Sequence, residues 1–224
     1  MHVARMRFRF VPILIIIALL LAACEAPGFI EHTWQLPDET EYRSLLVAVN
    51  ATRDEGLLAP LPERSTYTYE EGEPRNFTYA LPPVASPNNP SYLIATGPVS
   101  ESDGGAPQVA VRYSAVDSLI PEMATTDAGF TVNDDGTVDF AVTVLGEVRG
   151  GQGNLSATKL VIGVMFVDLE LNPLAAFVDD TQGSHAMGER WTYRLENVPV
   201  DPAMIANNYR VYAFDASALP AETP

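Results

Sequence analysis

The side chains able to do chemistry are one thiol, one Ser–His neighbour pair, three acidic groupings and a concentration of aromatic rings. Cys24 is the single cysteine, which excludes an intramolecular disulfide, a Cys-rich zinc site and a CxxC redox pair. Nucleophilic catalysis needs a histidine within reach of a hydroxyl. Only Ser184-His185 offers one, and with no GxSxG elbow His185 reads as a loop histidine. Neither HExxH nor a His/Cys cluster occurs, so no metal site is expected. Asp134-Asp135-Gly136 with Asp139, and Asp179-Asp180 with Asp168, gather carboxylates that could attract calcium. An EF-type loop through the first group, however, needs acids where Thr131 and Val142 stand. Glu70, Glu71 and Glu73 could supply the paired carboxyls of a glycosidase, roughly 5 to 9.5 Å apart in a cleft, but in a turn they read as a solvated acidic edge. No catalytic residue is assigned, and the chain is read as non-enzymatic. The aromatics Trp34, Tyr67, Tyr69, Phe77, Tyr79 and Tyr92 crowd the N-terminal half. They serve either as cross-strand pairs and core filling or as exposed rings that stack on sugars. Tyr67, Tyr69, Phe77 and Tyr79 are the candidate ligand surface.

The 224 residues carry 13 Lys plus Arg against 29 Asp plus Glu, a net charge of −16. That balance argues against a nucleic-acid partner, because phosphate binding draws its affinity from cationic side chains releasing counterions. A hydrophobic fraction of 47% and a charged fraction of 19% suit a folded chain of one large or two small domains. Residues 1–10 hold Arg5, Arg7 and Arg9 and no acid, and an apolar run of 13 residues follows from Val11 to Ala23. This is the basic n-region and h-region of a secretory signal. As a membrane span, the 15 residues from Phe10 to Cys24 would reach roughly 22 Å at about 1.5 Å per helical residue, short of the roughly 30 Å of a bilayer core.

The run ends in Leu21-Ala22-Ala23-Cys24, which resembles the lipobox of bacterial lipoproteins. The resemblance implies a signal peptide over 1–23, cleavage between Ala23 and Cys24, and a diacylglyceryl group on the Cys24 thiol, with no other cofactor. It further implies a lipid-anchored location at the cell membrane or envelope, facing outside the cytoplasm. Losing residues 1–23 removes three Arg and no acid, which takes the charge from −16 to −19. Anionic headgroups repel such a surface, so the acyl chains, at about 0.8 kcal/mol per buried CH₂, must supply the membrane affinity.

Residues 24–36 read as a tether and 37–124 as an irregular β-rich region with one possible helix. In that helix Asp38 would be the N-cap, Glu41 its capping-box partner and Gly56 the C′ residue, with Tyr42, Leu45, Leu46 and Val49 on one face. The β-branched Val47 and Val49 also allow a strand from Leu45 to Val49. Residues 66–70 and 75–79 alternate on either side of a Gly/Pro loop, a hairpin signal. Six prolines between 81 and 107 break helices and leave edge strands. A strand at Tyr92–Thr96 interrupts them, and Gln108–Val116 reads as another. Further on, Asp135-Gly136 predicts a type I′ turn. Val138, Phe140, Val142 and Val144 then share one face of a strand. Residues 159–167 are apolar on both faces, which predicts a central covered strand. Strands at 174–178, around Trp191, Tyr193 and Leu195, and at 209–214 complete an immunoglobulin-like β-sandwich over 125–217, with 218–224 as a tail.

The order of these strands, with Phe166-Val167-Asp168 closing the central one, Met187-Gly188-Glu189 before Trp191, and a final Tyr-Arg-Val-Tyr strand, resembles the FxLYD and LEA-type immunoglobulin-like domains of cell-envelope lipoproteins. Val167 stands where those domains carry Tyr, and their turn Gly is absent. The resemblance implies a fold and a surface habitat. The function expected is a non-catalytic interaction or accessory module that contacts the membrane through its lipid and an unidentified envelope protein through its surface. The alternative is a ligand-binding lipoprotein for glycans or a small solute.

Overall fold

The computed structural model describes residues 42–70, 72–98, 105–151, 153–198 and 208–219. Fourteen strands appear in chain order: β1 Tyr42–Val49, β2 Leu57–Pro60, β3 Thr66–Thr68, β4 Arg75–Asn76, β5 Tyr79–Leu81, β6 Ser91–Pro98, β7 Gln108–Ala110, β8 Tyr113–Val116, β9 Met123–Val132, β10 Val138–Val148, β11 Leu160–Val167, β12 Pro173–Asp179, β13 Arg190–Val198 and β14 Tyr209–Asp215. They form small antiparallel sheets with orders β1-β6-β5, β13-β10-β9, β12-β11-β14, β4-β3-β7 and β2-β8. The chain is mainly β, and short 3₁₀ turns at Pro62–Arg64 and Ala216–Ala218 are its helical pieces among the described residues.

Three apolar clusters stack these sheets. Val138, Phe140, Val142 and Val144 of β10 and Tyr193 of β13 pack against Leu160, Ile162, Val164 and Phe166 of β11 and Val211 and Ala213 of β14. The opposite side of β11 and its neighbours, through Val161, Met165, Val167, Ala176, Tyr212 and Phe214, meets Leu46, Ala48, Leu81, Tyr92 and Ile94 of the β1-β6-β5 sheet. That sheet's far face, with Leu45, Val47, Val49, Leu93 and Ala95, is covered by Phe77, Tyr67 and Val109. All eight residues of β11 are buried, as its two-faced apolar pattern requires of a strand between layers. The N-terminal and C-terminal halves therefore share a core.

Three expectations are corrected. The segment 42–49 is strand, not helix. Leu45, Val47 and Val49 enter one core while Leu46 and Ala48 enter another, a period of two that a helix cannot meet, and pairing with β6 along all eight residues outweighs helix propensity. The proposed caps Asp38 and Glu41 lie outside the described residues. Gln108–Val116 is two strands, because the backbone of Arg112 leaves the sheet to bond elsewhere: its N–H donates to Ser65 Oγ at 2.9 Å, and its carbonyl accepts from Leu61 N at 2.8 Å. The turn before β10 is not type I′. Only Gly136 has positive φ there, at 85°. Its N–H donates to Asn133 O at 3.0 Å while Asn133 N donates to Thr137 O at 2.8 Å, the pattern of a turn with a left-handed glycine after it. The hairpin at 66–76 is present, with Thr66 opposite Asn76 and Tyr67 opposite Arg75, whereas Tyr79 leaves it for β5.

Candidate functional site

Ala23 and Cys24, the predicted cleavage and lipid-attachment residues, lie outside the described residues, as does Trp34. Of the candidate aromatic surface, Tyr69 is 3% and Phe77 2% exposed, so neither ring has a face to offer a sugar. Tyr67 is half-buried between them, with centroids 6.1 Å from Tyr69 and 5.1 Å from Phe77, and Tyr92 is core. Tyr67, Tyr69 and Phe77 pack within the N-terminal layers, and Tyr92 packs where those layers meet the β12-β11-β14 sheet. Ser184 is exposed while His185 is 3% exposed, its Nε2 3.3 Å from Glu189 O and its ring 6.4 Å from Trp191. His185 is a packed structural residue, its backbone paired with Ala157.

The two aspartate groupings act as turn staples, while Glu70 and Glu73 are exposed and Glu71 lies outside the described residues. Asp135 accepts from Thr137 N at 2.9 Å and Thr137 Oγ1 at 2.6 Å. Asp139 joins Asn133 Nδ2 at 3.0 Å to Asn197 N at 2.9 Å. Asp168 accepts from the N–H groups of Glu170 and Asn172, both at 2.8 Å, and Asp179 from Thr181 N at 2.7 Å and Gln182 Nε2 at 2.7 Å. The seven residues of β12, about 20 Å of strand, separate Asp168 from Asp179. Among the described residues no three His, Cys, Asp or Glu side chains converge as a metal site would need.

The fourth aromatic, Tyr79, has a different setting. It lines a cleft of about 350 Å³ between the N-terminal and C-terminal layers, walled by Pro60, Leu61, Pro62, Ala80, Pro83, Val161 and Phe214. At its polar end Lys159 Nζ lies 3.1 Å from Asp180 Oδ2, and Tyr79 lines the cleft with that pair. Burial, then the charge of Asp180, pushes the Tyr79 hydroxyl up to about 12, so it stays a neutral donor. The hydrogen bond from Lys159 leads the interactions that hold the Asp180 carboxyl below the usual carboxylate range. An apolar pocket with a few convergent polar groups is the usual form of a small-molecule site. Sequence reasoning singles out Tyr79 as one of a row of rings and Asp180 as one of a carboxylate group, and misses Lys159, which comes from a separate turn and shares no spacing with either.

A second recess lies where β14 meets the start of β9. Arg149 bonds Glu122 Oε2 at 2.6 Å, Thr125 Oγ1 at 3.2 Å and Val211 O at 2.5 Å there. Burial raises the Glu122 carboxyl against the opposing pull of Arg149, so the folded protein holds this proton to higher pH than the unfolded chain does. Its contribution to stability therefore falls as pH rises past the unfolded value of about 4.3. Asp135, Asp139 and Asp180 behave oppositely. Their folded carboxyls lie below the ordinary value, and the stability they add is present above about pH 3.9 and lost as pH falls through their folded values. A calorimetric melting series is expected to decline below about pH 4. Glu122→Gln should flatten only the higher-pH arm, and Asp139→Asn only the acid arm.

The turn joining β11 to β12 is exposed and apolar at once. Leu169 is 89% and Leu171 54% exposed, and Leu171 adopts φ of 68°. A left-handed conformation costs an L-residue with a side chain roughly 1–2 kcal/mol. Leu171→Gly is accordingly expected to raise stability by about 1 kcal/mol, seen as a higher urea midpoint at unchanged slope. No known protein family, no curated protein and no solved structure matches this chain.

Proposed function

We propose that this chain is a bacterial lipoprotein, held to the envelope membrane by a diacylglyceryl group on Cys24, that works as a non-catalytic interaction module for another envelope protein. The anchor rests on the lipobox-like end of the leader. For the display domain, 125–217, the strand order supports an immunoglobulin-like sandwich. Lettered from β9 as A to β14 as F, with β12 as C′, the two sheets read A-B-E and C′-C-F, which matches part of that fold's order, strands D and G having no counterpart among the described residues. The preceding layers, β1 to β8, then act as a second unit packed on the C′-C-F face.

The observation that carries the interaction reading is the β11–β12 turn. Leu169 stands clear of the surface and Leu171 is held at positive φ where glycine would be less strained. Leaving large apolar side chains in water forgoes about 1.5–3 kcal/mol each relative to burial, and backbone strain of this kind persists where function uses it. Both are accounted for by a partner that buries the two leucines.

The test is cross-linking in native membranes with mass spectrometry of co-purified proteins, comparing wild type, Cys24→Ala and the Leu169→Ser/Leu171→Ser double variant. A lipid-sized mass increase on the wild type, absent from Cys24→Ala, is expected, together with one stoichiometric partner missing from the double variant. An unlipidated Cys24 overturns the anchor. A lipidated protein with no specific partner, or one retained in full by the double variant, overturns the interaction reading.

A further inference from the structure

We propose that the cleft at Tyr79, Lys159 and Asp180 binds a small organic cation, a primary or secondary ammonium on an aromatic or branched aliphatic body. This site is independent of the β11–β12 turn and of the partner assigned to it.

The body follows from the walls. Pro60, Pro62, Pro83, Val161 and Phe214 present apolar surface around a volume of about 350 Å³, at the small end of the roughly 300–1,000 Å³ spanned by ligand pockets. The charge follows from the cleft's titratable groups. Lys159 is the one cation among the described lining residues, which also include the carboxylates of Asp180 and Glu63, and the charge of Asp179 also reaches Tyr79. The chain's overall charge of −16 adds a field of the same sign. An anion entering here meets an excess of carboxylates, whereas a cation is drawn in.

The polar end has room for one more donor. A carboxylate offers roughly four lone-pair positions. Among the described residues the one close contact to that of Asp180 is Lys159 Nζ, 3.1 Å from Asp180 Oδ2, and the remaining positions of the carboxylate can accept a ligand N–H. The Lys159 side chain is 55% exposed on a flexible four-carbon stem, so it can withdraw to solvent as an incoming ammonium takes its place. The Tyr79 ring then forms part of the cleft wall around the ligand.

The full chain, purified in detergent, is titrated calorimetrically with phenethylamine, 3-phenylpropionate and 2-phenylethanol, three probes of matched body and different charge. Submillimolar binding of phenethylamine is expected, at least tenfold tighter than either other probe, weakened at least tenfold by Asp180→Asn. Lys159→Met is expected to tighten phenethylamine binding severalfold, because it removes the competing cation. That sign separates the proposal from a merely structural ion pair and remains readable if Asp180→Asn lowers the melting temperature enough to cloud its own result. Equal or tighter binding of the carboxylate, no binding of the amine at 10 mM (about the weakest affinity such a titration resolves), or weaker binding in Lys159→Met overturns it.

Discussion

Phe140→Ala is expected to destabilise the protein by about 3–5 kcal/mol, the range for truncating a buried phenylalanine. The residue is fully buried in the cluster between the β13-β10-β9 and β12-β11-β14 sheets. Its ring meets Tyr209 edge-on, 5.3 Å between centroids, and Tyr209 in turn donates its hydroxyl to Ala128 O at 2.7 Å. Truncation therefore leaves a cavity and also frees the tyrosine that ties β14 to β9. The loss should appear in urea denaturation as a lowered midpoint. The Tyr209 ring resonances should shift more than those of Tyr92 or Tyr212, which sit in the other cluster. A loss under 1 kcal/mol, far below the usual cost of such a cavity, would mean that the two sheets do not share this core.

The second large effect concerns a glycine. Gly146 is buried in β10, and a Cβ there would meet Ala186 O and Gly188 N at 2.5 Å and Glu189 N at 3.0 Å. Those are backbone atoms, fixed by Gly146 N donating to Glu189 O at 2.8 Å and Gly188 N donating to Gly146 O at 3.0 Å. No side-chain rotation relieves the contact. Gly146→Ala is expected to cost about 3 kcal/mol, the upper end for overpacking, and to displace the 185–189 turn. Gly129→Ala is the control, since nothing lies within 4 Å of its Cβ position and its φ is unremarkable; its effect should stay within about 0.5 kcal/mol. Amide exchange of Ala157, whose N–H donates to His185 O at 2.9 Å, reports the displacement directly, with faster exchange expected only in Gly146→Ala.

The strands that were legible in sequence are those whose burial is decided by local period. Val138, Phe140, Val142 and Val144 alternate with polar neighbours, and all four are fully buried. Residues 160–167 have no polar face and are covered on both sides. Of the aspartate groupings, the first is readable as a turn from Asp135-Gly136; in the structure Asp135, Asp168 and Asp179 each bond the N–H two residues on, as an Asp side chain in a turn does. The candidate site was legible only in part. Tyr79 stands in a row of aromatic rings in the sequence, yet Tyr67 and Phe77 turn inward because the outer face of the β1-β6-β5 sheet needs covering, and Tyr69 is buried beside Tyr67.

The sequence by itself determined a mainly β chain, its central strand and a strong excess of acidic residues, since each is written in composition or in short-range order. Tertiary structure alone decided that 42–49 is strand, because two cores claim its two faces. It decided that Arg112 interrupts 108–116, because Leu61 and Ser65, 51 and 47 residues earlier, take up its backbone groups. It also decided that Tyr79, Lys159 and Asp180 form one polar cluster. Residues so far apart in the chain meet only after the N-terminal layers have docked on β11 and its neighbours, and no local period or spacing encodes a meeting of that kind.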